Sequence, residues 1–288
     1  MTAAGPPEGA PEPALLAEIE RTAVDLARLA GAEIQGSLGR AMAVSYKAGA
    51  DARAVYRDPV SEVDRRCEEM IRARLDEVFP THGVVGEEMD EKPGDVDEYV
   101  WAVDPIDGTT NFVNGFPLFA AVVGVLRHGR PVAGAVWCSV THALRPGTYH
   151  ASTGSGLKFE GEALTMLSNP AVLRRLAGEP HAPKEHDLGW EVRKTGSAAI
   201  ECAFVAAGLL NVARFERPNV WDVAGGIVLV EAAGGVVYAG HPDGWRRFAG
   251  FGPADGYPDM RTWRHPLVLG DAGAARQMVV SLEPGFAG

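Results

Sequence analysis

Midway along the chain the residues Tyr99-Val100-Trp101-Ala102-Val103-Asp104-Pro105-Ile106-Asp107-Gly108-Thr109-Thr110 run from an apolar segment into two carboxylates. Tyr99–Val103 reads as a short strand that delivers Asp104 to its carboxyl end. Pro105 has no N–H for a ladder and a fixed φ, so it sets the turn. Asp107 follows closely enough for both carboxylates to face one site. Gly108 allows the backbone to approach a ligand. Gly108 and Thr109 then open a helical turn whose free N–H groups can cradle an anion. Two hard carboxylates beside such a cradle suit Mg²⁺, which takes oxygen ligands and often shares them with a phosphate. The competing reading is an Asp-Pro turn followed by an Asp-Gly turn, both common at surfaces.

Working outward, residues 14–35 carry Leu15, Ile19, Ala23, Leu26 and Ala30 at helical spacing. Residues 40–60 lose that period and predict a loop or short hairpin. A second helix begins near Ser61, with Val63, Cys67, Met70, Ile71, Leu75 and Val78 on one face, and stops near Pro80. His82–Gly86 reads as a short strand. Phe119–Leu126 and Pro131–Trp137 flank His128-Gly129 as an antiparallel hairpin. Residues 145–195 look rich in loops, with a short helix over Pro170–Leu176. The last third predicts helices over Ser197–Ala207 and Asp222–Ala233 and strands over Val236–Tyr238 and Leu267–Leu269. This order fits a layered α+β architecture better than a doubly wound parallel sheet. Residues 1–13 read as a disordered lead-in. Residues 14–288 read as one domain, with an N-terminal α+β part over about 14–150 and a C-terminal α/β part over 151–288.

Composition excludes several function classes. The 288 residues are 46% hydrophobic and hold no apolar run of bilayer-spanning length. The first residues lack the basic region and apolar core of a secretory signal. Cys67, Cys138 and Cys202 are odd in number and form no CxxC pair, which argues against a disulfide framework or zinc and for a reducing cytoplasm. The net charge of −11 disfavours nucleic acid, and a phosphate-binding protein so acidic needs local positive charge, which metal ions supply.

Other acidic segments bear on the central one. Gly86-Glu87-Glu88 follows a strand, where a solvated acidic loop is the plain alternative. Trp221-Asp222-Val223-Ala224-Gly225-Gly226 places Asp222 where an N-cap belongs. Asp64, within Val60-Ser61-Glu62-Val63-Asp64, also suits a helix's first turn.

Together these pieces resemble the inositol monophosphatase family: GEE at 86–88, DPIDGTTNF at 104–112, Gly115-Phe116-Pro117 and WDVAGG at 221–226, with VSEVD at 60–64 similar to that family's VTxxD. The resemblance runs from about residue 14 to about 270. It implies a five-layered αβαβα fold, Mg²⁺-dependent hydrolysis of phosphate monoesters, lithium inhibition and a homodimer. It implies two to three Mg²⁺ ions, with Mn²⁺ as an alternative. Glu87, Asp104, Asp107, Asp222 and the carbonyl of Ile106 match metal-ligand positions. Gly108 and Thr109 match the phosphate-binding turn. Thr109 with Glu87 matches the pair that activates water, and Asp64 matches an acidic position near the third metal. Substrate-side positions fall on Gly196, Ser197 and Ala198, within a GTAA-like turn, together with Asp222 and Glu216.

The departures lie on the substrate side. The segment from Asp51 to Pro59 looks long for the family, so its basic residue falls on either Lys47 or Arg53. Residues 162–195 look short. Glu216 stands one residue nearer to Asp222 than the family's sugar-binding Glu. Arg214 and Arg217 read as a solvated basic loop or as partners of a second anionic group. The implied substrate is a small phosphate ester, inositol 1-phosphate first. Histidinol phosphate, fructose 1,6-bisphosphate and 3′-phosphoadenosine 5′-phosphate are rivals, and a non-catalytic interaction protein on the same fold is the alternative from another class.

Overall fold

The computed structural model describes residues 12–40, 44–46, 59–94, 99–165, 171–172, 175–179, 190–252 and 259–282. Most of the 1–13 lead-in, and both Lys47 and Arg53, lie outside those residues.

Helix α1 (Pro13–Ser37) opens with proline in its first turn, where the missing N–H costs nothing, and buries Leu16, Ile19, Ala23, Leu26, Ala30 and Ile34. Strands β1 (Val44–Tyr46) and β2 (Pro59–Ser61) pair antiparallel within the region read as a loop or hairpin. Helix α2 (Glu62–Val78) starts at a capping box. Ser61 Oγ accepts from the N–H groups of Val63 and Asp64, and Asp64 Oδ2 accepts from Ser61 N at 2.8 Å.

A seven-stranded sheet follows in chain order: β3 (Gly83–Gly86), β4 (Tyr99–Asp107), β5 (Ala120–Arg127), β6 (Arg130–Cys138), β7 (Gly147–Ser152), β8 (Lys158–Phe159) and β9 (Glu162–Ala163). Only β3 and β4 pair in parallel. The five-residue helix α3 (Thr109–Val113) lies between β4 and β5. His128 and Gly129 join β5 to β6 with φ of 49° and 76°, the left-handed pair that a two-residue hairpin turn requires. The second sheet has six strands: β10 (Arg175–Gly178), β11 (Trp190–Arg193), β12 (Val212–Phe215), β13 (Val236–His241), β14 (Gly244–Arg247) and β15 (Leu267–Gly270), in the spatial order β11-β10-β12-β15-β13-β14. Helices α4 (Ala198–Ala206) and α5 (Val220–Ala232) lie between the sheets, and α6 (Ala272–Leu282) covers the far face of the second.

The cores show the layering. Trp101, Val103, Ala121, Val123 and Val125 pack on α1 and α2, whereas Ala102, Ala120, Val122 and Leu126 pack on α4 and α5. Val237, Ala239, Leu267 and Leu269 close the central core, and Val212 and Val268 meet Ala274 and Met278 beyond. The layers are therefore α, β, α, β, α. Helix α5 lies against the large sheet almost backbone to backbone. A Cβ on Gly124 would fall 2.6 Å from Gly225 N, and one on Gly134 would fall 2.6 Å from Gly225 O. The glycines of the WDVAGG segment thus serve close approach, which fixes where α5 begins.

The helix expected over Pro170–Leu176 is corrected. Arg175 and Leu176 belong to β10, which pairs in parallel with β11 and β12. All four residues pair with β11, and Ala177 and Gly178 pair with β12 as well, which overrides a weak local helical pattern. Helix α6 was not read from the sequence, and neither was β7, whose Gly147–Ser152 is buried at every residue and so shows no alternation. The three cysteines are free and buried.

Glu20 ties α1 to the edge of the large sheet. His150 Nδ1 lies 2.7 Å from its Oε1, Lys158 Nζ donates to the same oxygen at 2.7 Å, and Ser152 Oγ donates to Oε2 at 2.6 Å. Burial alone would push this carboxyl up, but those three partners hold it down to about 2. A depressed acid contributes stability above its unfolded value and loses it as pH falls through the folded one. Glu20→Gln is therefore expected to cost about 2 kcal/mol in unfolding free energy at pH 7, and the gap from wild type is expected to close toward pH 2–3. Urea unfolding at both pH values checks it; a gap independent of pH would contradict the assignment.

Candidate active site

A β-bulge explains how Asp104 and Asp107 share a site. Asp104 pairs with Val122 and Asp107 with Ala120, so β4 spends three steps where β5 spends two. In a regular strand that odd spacing would send the two side chains to opposite faces. The extra residue, at Pro105-Ile106, restores them to one face. It is the face of Val122 and Ala120, toward α4 and α5. Ile106 points the other way and is buried in the α1/α2 core. The strand read as ending at Val103 thus runs on through the bulge to Asp107.

Asp104 is 1% exposed, and its Oδ1 is buried with no hydrogen-bond partner. Burial, then the charges of Glu87, Asp107 and Asp222, push its carboxyl well above the usual range, and its contact with the Glu87 side chain adds to this. Asp107 is raised to about 6, chiefly by burial, against hydrogen bonds that favour its charge. Ser197 Oγ and Ala199 N, the latter at 2.7 Å, donate to its Oδ2. Asp222 is also raised well above the usual range, by burial and then by Asp107 and Glu87. The N-cap of α5 is Asn219 and not Asp222 as expected; Asp222 is the third helical residue, accepts from Asn219 N at 2.8 Å in a capping box, and still faces the other acids. The structure therefore brings Glu87, Asp104, Asp107 and Asp222 into one electrostatic neighbourhood. Among the described residues no three of them close into a ready-made ligand cluster.

Gly108 has φ +90°, and a Cβ there would meet Leu118 O at 3.1 Å, so conformation and packing both demand glycine. Beyond it α3 starts with no side-chain cap on its first turn. Thr109 Oγ1 lies 2.8 Å from the carbonyl of Ile106 and 3.0 Å from Asp64 Oδ1. Its hydroxyl thus has two acceptors in reach, the Ile106 carbonyl and the Asp64 carboxylate. Burial raises the Asp64 carboxyl against hydrogen bonds from Ser61 and Thr109.

Three positioning residues were not read from the sequence. Glu68 on α2 accepts from Glu88 N at 2.8 Å and pairs with Arg72, so it holds the Glu87 loop from beneath. Asn111 Nδ2 donates to the carbonyls of Leu118 (2.6 Å) and Thr195 (2.8 Å), which ties α3 to the turn before α4. Arg261 donates to Gly86 O at 2.8 Å and lies 5.1 Å from the centre of the Trp221 ring. The signal for Glu68 was present: a carboxylate on an apolar helix face, with Arg72 one turn later.

The substrate-side positions Gly196, Ser197, Ala198, Glu216 and Asp222 line one cavity of about 390 Å³, together with Glu201 and Arg217. Ser197 is turned to Asp107 and also caps α4 through Ile200 N at 3.1 Å. Glu201 is 2% exposed, its carboxyl raised to about 7 mainly by burial, and its Oε2 has no partner.

The model of the inositol monophosphatase family matches residues 15–251. The chain is 34% identical over 203 residues to the fructose-1,6-bisphosphatase/inositol-1-monophosphatase of Aquifex aeolicus, covering 65% of this chain and 75% of that protein. It is 32% identical over 242 residues to inositol monophosphatase 1 of Solanum lycopersicum, covering 77% and 85%. The crystal structure of extragenic suppressor protein suhB from Bartonella henselae superposes with a TM-score of 0.73 at 25% identity, over 93% of this chain and 100% of that one.

Proposed function

This chain belongs to the inositol monophosphatase family and is a phosphoric monoester hydrolase, and from that premise we propose that it hydrolyses small polyol or sugar phosphates with Mg²⁺ at the Asp104 cluster. The observation that carries this reading is Asp104 itself. A buried carboxylate oxygen with no protein partner, beside three more acids, fits divalent cations and little else. Glu87, Asp104, Asp107, Asp222 and the carbonyl of Ile106 would hold two to three ions, Mg²⁺ first and Mn²⁺ as the alternative. Bound there, the metal supplies positive charge to the phosphate and acidity to water.

The chain's own groups do the rest. Thr109 has one proton and two neighbouring acceptors. Its remaining lone pair can accept from the attacking water while its own proton passes to Asp64 Oδ1. Ser61 occupies the other oxygen of Asp64, which leaves Oδ1 aimed at Thr109. Gly108 and Thr109 orient the phosphate through the first turn of α3. Gly196, Ser197, Ala198 and Glu216 wall the cavity in which the alcohol part would lie.

The acidic charge supports a protein with no nucleic-acid partner, and no helix among the described residues is long and apolar enough to cross a membrane. The resemblance supports a homodimer, and the three free cysteines support a reducing cytoplasmic setting.

The test is a panel of phosphate esters with Mg²⁺, with and without Li⁺. We expect Mg²⁺-dependent release from polyol and sugar phosphates, inositol 1-phosphate among them, suppressed by Li⁺. Hydrolysis confined to histidinol phosphate or 3′-phosphoadenosine 5′-phosphate would overturn the substrate class. Release from none of them would overturn the reaction.

A further inference from the structure

Asp107 is held by a turn that lies 90 residues later in the chain. Its Oδ2 accepts from Ser197 Oγ and from Ala199 N at 2.7 Å, and Ala198 N adds a third hydrogen bond to the carboxylate. All three donors belong to the start of α4 and its cap. Two of them fill Oδ2, which leaves Oδ1 as the oxygen for a cation. The same turn walls the alcohol cavity through Gly196, Ser197 and Ala198. Whatever sets this turn therefore acts on the metal site and the cavity together.

Thr195 sets it. The residue is buried, and each of its polar atoms is engaged. Its N donates to Glu201 Oε1 at 3.3 Å, and its carbonyl accepts from Asn111 Nδ2 at 2.8 Å. Its Oγ1 lies 2.9 Å from Glu201 Oε1 and 2.9 Å from the carbonyl of Ser197, and accepts from Ser197 N at 3.2 Å. Gly196 follows at φ +78°, and a Cβ there would fall 3.0 Å from Asn111 Nδ2, so the backbone has no slack. Glu201 stands in the first turn of α4 and folds back on Thr195. Its Oε1 takes both Thr195 contacts, while Oε2 is buried without a partner. Burying a carboxyl in this way costs stability, and what it returns is the hold of Oε1 on Thr195.

We propose that Glu201 is a positioning residue for Asp107: it grips Thr195, Thr195 fixes the 195–199 turn, and the donors of that turn hold the Asp107 carboxylate for a cation. The proposal rests on the hydrolytic reading above. The links run from Glu201 Oε1 to Thr195 Oγ1, on to Ser197 N, and from Ser197 Oγ to Asp107 Oδ2. Glu201 lines the cavity, but with Oε1 turned to Thr195 and Oε2 buried it acts through the turn. Helix α4 keeps its cap without Glu201, since Ser197 Oγ accepts from Ile200 N at 3.1 Å. The grip on Thr195 therefore serves the site more than the helix. Ligands that hold a metal ligand in place set metal affinity nearly as firmly as the ligand itself.

The experiment measures Mg²⁺ affinity by calorimetry, without substrate, for the wild type, Glu201→Leu, Thr195→Val and Glu201→Gln, beside melting temperatures in EDTA. Glu201→Leu and Thr195→Val each remove one end of the grip and are expected to weaken Mg²⁺ binding by about tenfold or more. Glu201→Gln keeps an oxygen for Thr195 and is expected to stay within about threefold of the wild type. The Mg²⁺ concentration for half-maximal phosphate release is expected to shift by the same factors. Thr195→Val keeps the test open if Glu201→Leu fails to fold. Wild-type Mg²⁺ affinity in both Glu201→Leu and Thr195→Val would overturn the proposal, and a lowered melting temperature beside it would make Glu201 a prop for the fold alone. A loss in Glu201→Gln as large as in Glu201→Leu would also overturn it, since charge and not the grip would then decide. Weakened Mg²⁺ binding in Glu201→Leu and Thr195→Val, with a wild type that releases no phosphate, would support the positioning and overturn the hydrolytic reading.

Discussion

Asp104→Asn is expected to lower kcat by about a thousandfold or more at saturating Mg²⁺, the largest effect of any single substitution considered. Asn is nearly isosteric, so the change removes charge and little volume. The residue is buried at a bulge between two paired segments of β4, and its unpartnered Oδ1 faces Glu87, Asp107 and Asp222. An amide there cannot supply the negative charge that holds a divalent cation. The fold is expected to tolerate the change, because removing one of several crowded acids relieves repulsion. Melting temperature in EDTA should therefore be unchanged or raised, while the stabilisation that Mg²⁺ gives the wild type should be lost. Steady-state kinetics and melts with and without Mg²⁺ check both halves. A variant that melts well below wild type in EDTA would mean that Asp104 is structural.

Thr109→Val is expected to lower kcat by about a hundredfold with KM little changed. Valine keeps the branched shape and loses the hydroxyl that joins Asp64 Oδ1 to the carbonyl of Ile106. Asp64→Asn is expected to give a loss of similar size, since it removes the group that receives the proton. The cap of α2 survives in part, because the amide oxygen of Asn can still accept from Ser61 N. If the two residues act as one relay, Thr109→Val/Asp64→Asn together should cost about what either costs alone. Multiplicative losses would show that they act separately.

Much of this site was legible because its parts are local motifs with a physical reason. A strand ending in Asp-Pro, a glycine at a left-handed turn and an acid at a helix start are each readable within a few residues. The family resemblance joined them into one constellation. What was not legible depends on distance along the chain. Ser197 and Asp107 bond across 90 residues, and Arg261 reaches Gly86 across 175. No periodicity encodes either contact. The bulge was half visible, since Pro105 signalled a broken ladder, but only the pairing of Asp104 with Val122 and Asp107 with Ala120 shows that it returns both acids to one face. The contact of Thr109 with Asp64 spans 45 residues and carries no local signal either. Strand β10 failed for another reason. Its four residues carry no alternation, and their state is decided by distant partners, β11 for all four and β12 for Ala177 and Gly178. Arg214, His241 and Arg264, which line one cavity, show the same limit, because only the second sheet and the segment leading into β15 bring them together.

The most direct test of the central claim is phosphate release on the best substrate of the panel, first in EDTA and then with Mg²⁺ restored, for wild type and Asp104→Asn side by side. No turnover is expected in EDTA, with recovery in the wild type on adding Mg²⁺ and none in Asp104→Asn. Turnover that persists in EDTA, or a variant that recovers as fully as the wild type, would contradict it.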